Sequence, residues 1–156
     1  MPLKKSKPKR EPAGRVLEIT RIFPAPRHLV FEAWTQKEHL SQWCAPKGFT
    51  IPFSEGDLQP GGKWRSCMCM PDGTECWLSG VYREIIQDEL VEFTHAWEEN
   101  GKRGHETIVT VRLSDHGNKT KMILRQSLFE SVASRDGHEG GWSQCFDRLS
   151  IYLKQI

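Results

Sequence analysis

The chain has 156 residues, a size that suits one domain with one core. Hydrophobic residues make up 37% and six tryptophans add large burial surfaces, yet no apolar run approaches the roughly 18 residues that a membrane span needs. The net charge of +2 is uneven: residues 1–13 carry Lys4, Lys5, Lys7, Lys9 and Arg10 against Glu11, a balance of +4, which leaves −2 for the remainder and argues against nucleic-acid binding as the main role.

Residues 1–13 also contain three prolines and almost nothing apolar, so they are expected to form a disordered basic tail ahead of a single domain from 14 to 156. The N-terminus lacks the apolar stretch of a secretory signal. Five cysteines is an odd count, and their spacing matches no disulfide framework, so free thiols in a cytoplasmic setting are expected.

VLEITRIF, from Val16, reads as the first strand, stopped by Pro24 and Pro26. Pro26 suits the first position of a helix in which Leu29, Val30, Ala33 and Trp34 share an apolar face. Thr35-Gln-Lys-Glu38 has a capping-box pattern and predicts a second short helix, with Leu40 and Trp43 inward and Pro46-Lys-Gly48 as its end. Six strand-like runs follow: FTIPFSEGDL, KWRSCMCM, ECWLSGVYREI, LVEFTHAW, HETIVTVRL and KMILRQSLF. Turn signals separate them, among them Pro60-Gly-Gly62, Pro71-Asp-Gly73, Asn100-Gly101 and His116-Gly117-Asn118. Short connections predict an antiparallel meander, and the absence of long helical runs between strands excludes a doubly wound parallel sheet. Finally Trp142, Cys145, Phe146, Leu149, Tyr152 and Leu153 fall on one stripe of a 3.6-residue helix. A bent antiparallel sheet around this helix would bury every apolar face named.

The order of these elements, with FPAPRHLVFEAW, LQPGGKWRSCM, PDG, GVYREI, GHETIVTVRL and RDGHEGGW, resembles the family named after the activator of the heat-shock-protein-90 ATPase. That family is a branch of the START-like, helix-grip superfamily, and the likeness runs from about Val16 to Leu153. It implies an α+β fold: a curved antiparallel sheet of about seven strands, two short helices after the first strand, and a long C-terminal helix packed on the sheet over a cavity. Superfamily relatives include lipid carriers, plant ligand-binding proteins and polyketide cyclases. The resemblance implies no agreed catalytic residues, and none is assigned.

Strand alternation says what could line such a cavity. If Val109, Val111 and Leu113 face inward, so do Thr107 and His105; Val91 and Phe93 bring His95 and Trp97; Met122 and Leu124 bring Gln126. Trp64 and Met68, with Ser66 between them, share a face of their strand. Buried His95, His105, Thr107 and Gln126 must be hydrogen-bonded, and at one end of an apolar interior they could orient a ligand. The alternative is a set of satisfied core residues that need none.

RDGHEGGW, from Arg135, carries three glycines and a histidine between carboxylates. It has no GxxxxGK[ST] and no GxGxxG after a strand, so a phosphate cradle is not expected. Counting back along the helix puts His138 and Gly141 on the sheet-facing side with Trp142 and Phe146. Asp136 and Glu139 then serve as a capping pair, and Gly141 either lets the helix approach the sheet or leaves room for a ligand.

Cys67-x-Cys69 and Cys76 lack the second ligand pair of a zinc site, so neither metal nor cofactor is expected. His95, His105 and His138 could together support cyclase-like proton transfer, but no nucleophile motif is present. The expected role is therefore binding of a small apolar or amphipathic molecule. A chaperone-associated interaction module, with a protein partner or a second copy of the chain, is the alternative, and a polyketide-cyclase-like enzyme comes third.

Overall fold

The computed structural model describes residues 14–156; the basic segment expected to be a disordered tail lies outside the described residues. The chain order is β1 (Leu17–Phe23), α1 (Arg27–Thr35), α2 (Lys37–Trp43), β2 (Thr50–Gly56), β3 (Lys63–Cys69), β4 (Glu75–Ile86), β5 (Leu90–Glu99), β6 (Lys102–Arg103), β7 (Thr107–His116), β8 (Lys119–Ser127) and α3 (Val132–Leu153). All pairings are antiparallel, in the order β1-β8-β7-β5-β4-β3-β2, with the two-residue β6 attached to β5. The predicted strands all form, and β6 is an addition of two residues beyond them.

The alternation holds where the pairing is regular. In β7, Thr107, Val109, Val111 and Leu113 are buried; in β8, Met122, Leu124 and Gln126 are. The connection after β5 uses Asn100 at φ 52° and Gly101 at φ 78°, the left-handed pair that a tight hairpin requires. Irregular register at Thr50/Phe53 and at Tyr82/Glu84 bends the β2–β4 side, as bulges do.

Two predicted caps are corrected. Thr35 closes α1 instead of opening α2: its hydroxyl donates to the Phe31 carbonyl at 2.8 Å, and Gln36 holds the N-cap position of α2 without a side-chain bond. The α3 cap is Ser131, not Asp136; its Oγ accepts from the Ser134 N–H at 3.0 Å. The cap therefore lies five residues before the predicted one, and the long helix takes in RDGHEGGW whole. The short Ser131 side chain gives the cap by accepting from the Ser134 backbone, whereas Asp136 already lies inside the first turns and pairs with Arg135.

The core lies between β1, β8, β7 and the C-terminal half of α3, with α1 closing one side. Phe23, Val30, Val111, Met122, Leu124, Phe146 and Leu149 are all essentially inaccessible there. Trp34 links this core to the rest of the interior through ring contacts with Trp43, Phe93, Trp142 and Phe146.

Candidate ligand cavity

Above its packed half, α3 presents Ser134, Gly137, His138, Gly141, Trp142 and Cys145 inward, residues spaced by three or four along one helical face. Opposite them stand Trp64, Ser66, Met68 and Met70 from β3 and its end, Cys76, Leu78 and Tyr82 from β4, and Phe93, His95 and Trp97 from β5. Trp34, Leu40, Cys44, Pro46, Phe49 and Ile51 complete the wall. Together they enclose a cavity of about 760 Å³. Ser134, Gly137 and Gly141 leave space on this face between the larger His138 and Trp142. A Cβ added at Gly137 or Gly141 meets nothing within 4 Å, so Gly141 leaves room and does not serve close contact.

Glycine acts oppositely on the sheet. A Cβ on Gly80 would lie 1.8 Å from the Thr94 carbonyl oxygen and 2.6 Å from Trp64 Nε1. No side chain fits, and the Trp64 indole instead lies over β4 and donates to the Thr94 carbonyl at 3.2 Å.

The loop from Cys44 to Phe49 is tied to α3 by the side chains of Arg148 and Gln144. The Arg148 guanidinium donates to the carbonyls of Ala45, Pro46 and Phe49 at 2.8, 3.0 and 3.2 Å. Gln144 Oε1 accepts from the Lys47 N–H at 3.0 Å.

Eight of the twelve predicted lining residues meet here: Trp64, Met68, Phe93, His95, Trp97, His138, Gly141 and Trp142. Four do not. Phe146 lies in the packed core below, stacked on Trp142 with ring centroids 5.5 Å apart. His105 is exposed, because β7 begins only at Thr107; its ring bonds the Leu128 carbonyl and borders a separate polar recess of about 60 Å³. Thr107 and Gln126 are buried and satisfied by protein. The Trp142 N–H donates to Gln126 Oε1 at 2.8 Å, Gln126 Nε2 donates to Thr107 Oγ1 at 2.9 Å, and the Thr107 hydroxyl donates to the His95 carbonyl at 3.2 Å. This chain fixes the helix to the sheet and satisfies both residues within the protein.

The sequence reasoning missed the α2 and β2 side of the wall, including Cys44, Phe49 and Ile51, and Tyr82 from β4. The β2 bulge breaks the alternation that would have assigned faces there.

Both cavity histidines are held by their surroundings. The Trp97 N–H, which can only donate, points at His138 Nε2 at 2.9 Å, so the proton sits on Nδ1 and donates to the Ser134 carbonyl at 2.7 Å. His95 touches the rings of Trp64, Trp97 and His138. Burial, and next the neighbouring His138, push its pKa down to about 3. A ring that stays neutral this far into acid is a weak base and no acid near pH 7, and His138 has both nitrogens engaged. The pair is thus better suited to orienting a molecule than to moving a proton. Burial also pushes the Tyr82 hydroxyl and the Cys145 thiol up to about 12, and raises Cys44.

All five cysteines are free thiols. Cys76 pairs with Met68 across β3–β4 and so lies on the face away from Cys67 and Cys69. Among the described residues, no group of three or more His, Cys, Asp or Glu is placed to hold a metal ion.

A curved antiparallel sheet gripping one long C-terminal helix over an inward cavity defines a START-like, helix-grip protein. The family model for Activator of Hsp90 ATPase homolog 1-like protein matches residues 24–154, and the chain belongs to that family. Among solved structures, a protein from Nitrosomonas europaea is similar at 26% identity with a TM-score of 0.79, over 92% of this chain and 96% of its own. The AHSA1 protein from Silicibacter pomeroyi shares 25% with a TM-score of 0.82, over 90% and 98%. A protein from Arthrobacter aurescens, at 22% identity, shares the fold with a TM-score of 0.84 over 95% and 91%. No curated protein matches the chain.

Proposed function

We propose that the protein binds a small apolar or amphipathic molecule, in a cytoplasmic setting, inside the cavity between α3 and the β3–β5 face. The observation that carries this reading is the 760 Å³ space lined by aromatic and sulfur-bearing side chains with histidines at one end. That volume lies within the range of small-molecule sites, ~300–1,000 Å³, and so does the composition of its wall. The family's description suggests a chaperone-directed interaction module instead. Such a module needs an exposed apolar surface, and nothing in that role calls for glycines that hold a helix away from its sheet.

Native mass spectrometry of the purified protein, before and after exposure to cell extract, tests the reading. A discrete added mass of a few hundred daltons, absent after denaturation, is expected. A protein that keeps its bare mass in extract and gains only another polypeptide would favour the interaction module.

A further inference from the structure

Resting on the ligand-binding reading, we infer that the cavity selects a neutral, flat aromatic molecule with one hydrogen-bonding group, and that His95 is the residue that receives that group.

The ring nitrogens of the wall supply the first argument. Trp34 Nε1 donates to Met122 Sδ at 3.3 Å, Trp64 to the Thr94 carbonyl, Trp97 to His138, and Trp142 to Gln126. His138 uses both of its nitrogens. Among the described residues, the His95 ring hydrogen-bonds no other side chain, although it is 5% exposed and borders the cavity. Of the nitrogen-bearing rings that line the cavity, it is the one left with capacity for a guest, and a guest hydroxyl or carbonyl there would gain a bond that water supplies outside.

The second argument is charge. The charged residues that line the cavity are Lys37, Glu38 and Glu55, and all three are exposed, at its rim. Nothing cationic waits inside for a carboxylate or sulfonate, since His95 stays uncharged beside His138 and Arg103. An anion would lose its hydration without gaining a partner.

Shape is the third. Trp34, Phe93 and Trp142 form one tilted aromatic surface, with centroids 5.6–6.5 Å apart. Met68 and Met70 supply polarisable sulfur from the β3 side. Both surfaces favour aromatic faces and edges over a flexible alkyl chain, which would gain area alone.

Equilibrium dialysis against four probes tests this: 2-naphthol, naphthalene, 2-naphthoate and 1-decanol. 2-Naphthol should bind about fivefold tighter than naphthalene, the worth of one net hydrogen bond, and both should outrank 2-naphthoate and 1-decanol. His95→Phe should erase the advantage of the hydroxyl, whereas His95→Gln should keep part of it. Thermal melting shows whether each variant folds; if His95→Phe does not, the wild-type ranking and His95→Gln decide. Tightest binding of 2-naphthoate or 1-decanol overturns the inference and leaves the ligand-binding reading standing. So does a 2-naphthol advantage that survives His95→Phe. Failure of all four probes to bind overturns both.

Discussion

The two halves of α3 face the same sheet and do opposite things. From Trp142 to Leu153 the inward residues are large, and Trp142, Phe146, Leu149 and Leu153 are buried against β1, β8 and α1. From Ser134 to Gly141 the inward residues are small except for His138, and the same helix borders open space. One continuous helix thus acts as a core element at one end and as a cavity roof at the other. The change follows the inward side chains, since the backbone runs on as one helix. The packed half anchors the helix, and the anchoring lets the other half stay clear of the sheet.

The largest test of this contrast falls on Trp142, at the boundary. It is buried, stacks on Phe146 and donates to Gln126. Trp142→Ala should cost ~3–5 kcal/mol in denaturant unfolding. A midpoint within error of the wild type would show that the boundary residue anchors nothing.

A smaller effect belongs to pH and to the cavity half. The His95 pKa is about 3 folded against an ordinary 6.5, so between these values the unfolded chain takes up a proton that the folded chain does not. Stability is therefore fullest above the unfolded pKa and falls as the solution is acidified. At ~1.4 kcal/mol per pH unit, His95 should contribute a loss of about 2 kcal/mol between pH 6.5 and 5. Stability curves of wild type and His95→Gln over this range should diverge by that amount. Parallel curves would mean that the ring is not buried in its neutral form.

Much of this arrangement was legible in the sequence. Strict alternation in β7 and β8 assigned the inward faces, and the 3.6-residue stripe from Trp142 assigned the packed face of α3. What stayed hidden has physical reasons. RDGHEGGW reads as the start of the helix because Asp136 and Glu139 have capping-box spacing, yet Ser131 caps it and the helix runs through the glycines. Gln126 and Thr107 read as ligand groups because alternation gives a direction and no partner; their partners, Trp142 and the His95 backbone, come from distant parts of the chain. His105 read as inward because its strand was extended two residues too far.

The smallest effect should come from Gly137, on the cavity face with open space before it. Gly137→Ala should raise stability by up to ~1 kcal/mol through helix propensity. A loss, read from the same unfolding curves, would mean that the helix already touches the sheet there.

The most direct measurement combines stability with occupancy at Gly141, where helix and cavity meet. Gly141→Leu places a bulky side chain in the space that the account reserves for a guest. Thermal and denaturant unfolding should show stability held or raised by up to ~0.8 kcal/mol, and naphthalene measured by dialysis should no longer bind. Destabilisation by ~1–3 kcal/mol, the mark of overpacking, or naphthalene binding unchanged from the wild type would contradict the cavity as the site of function.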